Sequence, residues 1–421
     1  MKHTSILIFV LLVCIPLSAQ ENQFKFSGEL RVRSEADGRD LSITSPMNLY
    51  SLSRVRLGVE VKPSDVLTVF IRMQDSRTFG EETASGSFNT VANSKNIDLN
   101  EGYVVVKEFF SNSLSMKFGR QMMQFGNERI IGALNWNNIG RSFDGVRLTV
   151  APSSSSALDL FVMNAGETNA APSGVSPATV AYKRDDGQWI AGAFYSLKQS
   201  PSLLYEGYAL YQNITKRSLP GKDSLIRATV GARVKGSFDS FTYDVEAAGQ
   251  AGTMNGTDIV AYMAAFSIEY AVGSPLISSA SVNLDIFSGT APTTVTENNT
   301  FEPPFSSGHR FYGYMDYFTN VYTHMFGRGI NDLYLRTVHN VSSDITVTPT
   351  LHYFTLAEKR TAATTDKFLG TELDIIALYR FNKNLVFEFG LCGFVPGFTM
   401  RTVYGKSDVG LWSYLMTTVS F

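Results

Sequence analysis

Arginine recurs at alternate positions early in this 421-residue sequence. Arg31 and Arg33 are followed by Arg54 and Arg56, then by Arg72, with Gln74 two residues further on. Lys117, Arg147, Arg227 and Arg233 continue the series, and Lys25 and Lys235 share its phase. A spacing of two puts side chains on one face of an extended strand. The guanidinium fork binds a carboxylate through two parallel bonds, so a ladder of arginines is chemistry for an anionic solute. Glu29 and Glu60 are interspersed, while Asp244, Glu246, Asp285, Glu372, Asp374 and Glu388 hold the same phase later in the chain. The structural use of such residues is mutual pairing that fills a polar interior.

Catalytic chemistry is thinly represented. Four histidines follow residue 20: His309, His324, His339 and His352. None has the H-E-x-x-H spacing of a metal site, and G-x-S-x-G and phosphate-binding glycine loops are absent. His309 with Asp316 could serve as an acid–base pair. Phe311, Tyr312, Tyr314, Tyr317 and Phe318 surround it, which fits a packed aromatic segment better. His352 would need a Ser or Asp beside it to support hydrolysis. Asn135 and Trp136 offer an amide and an indole for a sugar ring, or an anchor for a packed loop. Glu81 and Glu82 with Asp98 could hold Ca²⁺ but read as solvated loop charge. No metal, no cofactor and no enzymatic activity are expected.

The elements that position these residues follow from composition and period. With 44% hydrophobic residues and a net charge of −2, the chain is not of the disordered class. Its only long apolar run, Ile6–Leu17, is shorter than the roughly 18 residues a spanning helix needs. Behind Met1-Lys2-His3 and ahead of Leu17-Ser18-Ala19, that run reads as the core of a signal peptide. Residues 1–19 are thus expected to be a signal peptide and residues 20–421 one barrel. Val13 stands before Cys14 where a lipidation site needs a small residue. Cys392 is then the single thiol of the mature chain, so it has no intramolecular disulfide or cysteine metal site. No nucleic-acid partner is expected.

Two-residue alternation dominates the rest. Phe24, Phe26, Leu30 and Val32 interleave with Lys25, Glu29, Arg31 and Arg33. Ile226, Ala228, Val230 and Ala232 interleave with Arg227, Thr229 and Arg233, and Val282, Leu284 and Ile286 with Asn283 and Asp285. Segments of about ten residues with one apolar and one polar face mark transmembrane strands. The apolar face meets lipid, so the charges point inward. Short turns such as Lys62–Asp65, Gly236–Ser240 and Gly273–Pro275 separate long polar loops at Ser34–Leu49, Ser76–Asn96, Ala165–Gly187, Ser288–Gly329 and Thr355–Phe368. Nineteen segments qualify as strands. Dropping the weakest, Ala178–Lys183, gives an even number. The fold expected is all-β, a transmembrane antiparallel up-and-down β-barrel of about 18 strands, in contact with outer-membrane lipid. Leu415, Thr417, Val419 and Phe421 end the chain in phase, like the sorting signal of Gram-negative outer-membrane proteins. Arg120 alone falls in the lipid phase, which places it at a strand end, on a bulge or at the start of a loop.

The stretch Phe118-Gly-Arg-Gln-Met-Met-Gln-Phe-Gly-Asn-Glu-Arg-Ile-Ile-Gly132, through Asn135-Trp136-Asn137-Asn138 to Arg141-Ser-Phe-Asp-Gly-Val146, resembles the alginate export family of outer-membrane porins. Gln74–Arg77, Asp98–Tyr103, His309–Phe318, Gly370–Asp374 and Pro396-Gly397 resemble further segments of that family. The resemblance implies an eighteen-stranded, monomeric barrel that passes an anionic polysaccharide through a constriction lined by arginine and closed by loops. By position in the matching segments, Arg77, Arg120, Arg129, Arg141 and Asp144 are its loop or constriction candidates, beside Asn135 and Trp136. The ladder residues are the expected lining of an anion-selective pore. The alternatives are a sealed barrel whose long loops bind ligand outside the cell, and a barrel hydrolase. Other uronates, sulfated glycans or small organic acids are equally compatible cargo.

Overall fold

The computed structural model describes residues 23–79, 97–167, 187–215 and 224–421. The expected signal peptide, the segment Ala178–Lys183 and Glu81-Glu82 lie outside these residues. The first half of the chain contributes β1 (Gln23–Gly38), β2 (Asn48–Ser64), β3 (Leu67–Phe79), β4 (Asp98–Val106), β5 (Leu114–Gln121), β6 (Phe143–Ser153), β7 (Ser156–Glu167), β8 (Gly187–Ser200) and β9 (Leu203–Thr215). The second half contributes β10 (Ser224–Phe238), β11 (Phe241–Met254), β12 (Thr257–Ala271), β13 (Ser279–Phe287), β14 (Glu297–Asn298), β15 (Ile330–Asn340), β16 (Ile345–Thr355), β17 (Phe368–Arg380), β18 (Leu385–Pro396) and β19 (Gly410–Ser420). Two short helices, α1 (Val321–His324) and α2 (Phe398–Tyr404), lie in connections.

Each wall strand pairs antiparallel with its sequence neighbours, and β1 pairs with both β2 and β19. The result is a closed barrel of eighteen strands. β14 is a two-residue segment that runs parallel to β12 and stands outside this wall. Closure satisfies every edge, as a membrane demands. At the seam, Gly28 and Phe421 exchange backbone hydrogen bonds of 2.9 and 3.1 Å.

Alternation partitions the side chains as expected. Leu30, Val32, Leu57, Ile71, Val230 and Val260 are exposed on the outer face, while Arg31, Arg33, Arg54, Arg56 and Arg227 are buried inside. Turns of two residues join β2 to β3, β6 to β7, β8 to β9 and β10 to β11 at one end. The long connections lie at the other end. One connection there breaks the rule: Asn255 and Gly256, with φ of 54° and 82°, make a two-residue hairpin turn between β11 and β12. The wall strands also run further than expected, β1 to Gly38 and β3 to Phe79.

Two connections matter for function. Loop A (residues 122–142) joins β5 to β6, and loop B (residues 288–329) joins β13 to β15. β5 has only 8 residues, so loop A leaves the wall low. Its apolar residues then drive it inward. Met123, Phe125, Ile130, Ile131 and Ala133 are buried. Phe125 stacks on Phe194 at 4.7 Å and Phe161 at 5.4 Å, both inward residues of the wall. Burying a side chain of this size contributes about 1.5–3 kcal/mol, so loop A is a folded insert. It bridges loop B through Ile131 and Phe305.

Candidate functional site

Loop A crosses the lumen from wall to wall. Its first half reaches β11 and β13. Arg129 there is buried, 2.5 Å from Asp285 and 3.4 Å from Glu246, with its guanidinium over the Phe311 ring. Burial disfavours its charge, but the neighbouring carboxylates outweigh that and hold its pKa well above the ordinary value.

The second half of loop A reaches β1 and β2, where the arginine ladder meets it. Arg31 donates to the carbonyl oxygens of Asn135 (2.7 Å) and Asn137 (3.0 Å). Arg54 donates to the same two oxygens, at 2.9 Å each. Arg33 donates to Trp136 O (2.9 Å), and Arg56 to Asn135 Oδ1 and Ile139 O (both 3.1 Å). Four guanidinium groups therefore converge on acceptors of four residues within the stretch 135–139. Two of the four have a carboxylate: Arg33 with Glu35 at 2.7 Å and Arg54 with Glu29 at 2.6 Å. Among the described residues, Arg31 and Arg56 bond only neutral acceptors, Gln74 Oε1 at 2.6 Å included. Arg141, at the foot of the same loop, donates to Gly132 O and Phe305 O and has no carboxylate either. Burial pushes its pKa down to about 10.

Trp136 is an anchor here. His309 stacks on it at 3.8 Å and 6°, and the Arg33 guanidinium lies 4.1 Å from its ring centre. Trp412 and Tyr414, both inward on β19, meet it edge-on. His309 Nδ1 is 2.7 Å from Asp316 Oδ1, so the two side chains do meet, within this packed stack. Loop B is fixed to loop A by Glu128, which accepts from Ser307 (2.7 Å) and Arg310 (2.6 Å). Two hollows flank the stack. One, of 340 Å³, is lined by Arg33, Glu35, Arg39, Tyr50 and Trp136. The other, of 510 Å³, is lined by Arg141, Glu302, Pro304, His309 and Asp316.

The remaining ladder residues are spread around the wall and paired. Arg72 bonds Asn100 (3.0 Å) and Glu101. Lys117 sits over Tyr103 at 3.8 Å. Arg147 holds Asp159 with two bonds, at 2.7 and 2.8 Å. Arg227 bonds Gln212 and Glu302 of loop B, both at 2.9 Å. Arg233 bonds Asp244 and Glu206.

Three expected constriction residues are corrected. Because β3 runs to Phe79 and Arg54 opposes Ser76, Arg77 takes the outer phase, paired with Asp75 at 2.7 Å. Arg120 and Asp144 oppose each other in the β5–β6 register and pair outside at 3.4 Å. Arg120 is the penultimate residue of its strand, where an outward charge costs less than at mid-membrane. His352 has two carboxylates beside it, Asp332 at 2.9 Å and Asp374 at 3.7 Å. All three are buried, and the rings of Tyr334 and Phe354 stack on the imidazole. Loop B closes over this wall through Met315 N, which donates to Glu372 at 2.8 Å.

Sequence and fold comparisons agree with this architecture. Residues 22–409 match the alginate export family. The chain belongs to the alginate export family. Among solved structures it is similar to Acinetobacter baumannii OccAB1, with a TM-score of 0.62 and 12% identity over 94% of this chain and 96% of that one. It is similar also to Pseudomonas aeruginosa OpdQ, with a TM-score of 0.61 and 11% identity over 94% and 98%. Pseudomonas aeruginosa OccK11 matches with a TM-score of 0.60 and 11% identity over 94% and 96%. No curated protein sequence matches. This alginate export family member is a Gram-negative outer-membrane protein with a porin-like barrel. Family and fold are those of transport barrels, which are not enzymes.

Proposed function

We propose that this protein is a passive outer-membrane channel for an anionic solute, a uronate-type polysaccharide or a related anion, and that it acts as a monomer once residues 1–19 are removed. The observation that carries this reading is the charge balance where loop A meets the wall. Arg31, Arg33, Arg54 and Arg56 face two carboxylates, Glu29 and Glu35, which leaves two positive charges in excess. Such an excess in a low-dielectric passage lowers the barrier for anions and raises it for cations. Planar forks suit carboxylates in particular.

That loop A spans the lumen favours one other reading, a sealed barrel that binds ligand on its outer loops. Proteoliposomes separate the two. A conducting barrel releases entrapped glucuronate faster than glucose, a neutral sugar of similar size. A sealed barrel releases neither.

A further inference from the structure

The segment of loop A held by the arginines is a closed excursion. Residues 134–140 leave and rejoin the loop at one point, where Arg141 N donates to Ala133 O at 2.8 Å. Both ends of this excursion lie in the left-handed region, Leu134 at φ 50° and Gly140 at φ 83°. A turn inside it, Asn137 N to Leu134 O at 3.0 Å, keeps it compact. The apolar anchors Met123, Phe125, Ile130 and Ile131 precede it, whereas Trp136 lies within it, so a swing of the excursion breaks the His309, Trp412 and Tyr414 contacts and leaves the earlier anchors in place. The excursion can therefore swing without unpacking the rest of loop A.

Its hold on the wall has a part that an oxyanion can replace, the arginine bonds, beside the Trp136 stack and Asn138, whose Nδ2 donates to Ser53 O and Arg77 O. The acceptors offered to Arg31, Arg33, Arg54 and Arg56 are amide oxygens, which carry no net charge. They satisfy the donors and leave the excess positive charge in place. Arg31 and Arg54 are direct cross-strand partners, and like charges so placed repel. An oxyanion would supply the same acceptor geometry together with the missing charge. Charge-assisted bonds of this kind are about twice as strong as neutral ones.

We infer that residues 135–139 are an internal competitor for the arginine nest: their carbonyls hold the place of an oxyanion, and an arriving oxyanion displaces them and opens its own path. This rests on the channel reading proposed above. A ligand shifts such an equilibrium only by its preference for one state, and the oxyanion has that preference because it needs the nest empty.

A cross-link tests it. Ser76 Oγ donates to the main-chain oxygen of Asn138 at 2.8 Å, which sets the two residues side by side across the excursion and the wall, so Ser76→Cys with Asn138→Cys offers a cross-link whose closure is checked by loss of free thiol before recording. In a planar bilayer, adding glucuronate to the wild type and to the reduced pair should raise open probability about tenfold, with glucose inert. The oxidised pair should lose the response, and dithiothreitol should restore it. Equal responses in the oxidised and reduced states overturn the inference and make the excursion a fixed wall. Absence of current from every form sinks the channel reading instead. Hydrogen exchange on the wild-type protein then still decides the competitor. Faster exchange at residues 134–140 with glucuronate supports it, and unchanged exchange overturns it.

Discussion

Arg31 and Arg54 stand directly opposite each other in the β1–β2 register and donate to the same two carbonyl oxygens, those of Asn135 and Asn137. Two like charges in that position repel. Shared acceptors on loop A turn the repulsion into a clamp, and that clamp ties the wall to the element crossing the lumen.

The two arginines should differ in their effect on stability. Arg54→Gln strands Glu29, its partner at 2.6 Å, as well as breaking loop contacts. Arg31→Gln breaks neutral contacts alone. Thermal unfolding in detergent should show a loss of about 2 kcal/mol for Arg54→Gln against about 1 kcal/mol for Arg31→Gln. Equal losses would mean that the Glu29 pair contributes nothing.

Gly140 is fixed by two constraints. Its φ is 83°, and an added Cβ would lie 2.8 Å from Arg56 Nη2. Gly256, at φ 82°, has open space around it. Gly256→Ala should therefore cost only backbone strain, about 1 kcal/mol, and Gly140→Ala should cost more while exposing residues 134–140 to protease. The same proteolysis pattern in both variants would show that Arg56 does not depend on the close approach.

Trp136→Ala removes the His309 stack and the edge contacts of Trp412 and Tyr414 together. A loss of about 3 kcal/mol is expected, the lower end for a large aromatic, with a weaker near-ultraviolet dichroism signal and a larger single-channel current. Unaltered current would place the ion path away from the stack.

At the seam, an added Cβ on Gly28 would lie 2.2 Å from Phe421 Cζ. Gly28→Ala must displace that ring, and Phe421→Ala deletes it. Each single change should lower the unfolding temperature in detergent, and the double variant should be no worse than the poorer single, because both remove one contact. Additive losses would show that the ring and the glycine act independently.

Much of the barrel was legible because its signal is periodic. Alternation in β1, β2 and β10 identifies both the lipid face and the inward arginines, and even parity gives eighteen strands. The site was less legible because its geometry is aperiodic. Nothing in the spacing of Arg31 and Arg54 says that their acceptors are backbone carbonyls more than eighty residues away. One hint was present: Met123, Phe125, Ile130 and Ile131 make residues 122–131 too apolar for a solvated loop. Arg77 is expected in a loop, but β3 runs on to Phe79, so alternation continues past inward Ser76 and turns Arg77 outward. The Asn255-Gly256 turn is legible in its dipeptide.

The most direct test of the central claim is the reversal potential of the reconstituted protein under a KCl gradient, for the wild type and for Arg31→Glu with Arg54→Glu. The account predicts an anion-selective current in the wild type that polyuronate blocks, and a shift toward cations in the variant. A reversal potential that the substitution leaves unchanged, or one near zero in both proteins, would contradict it.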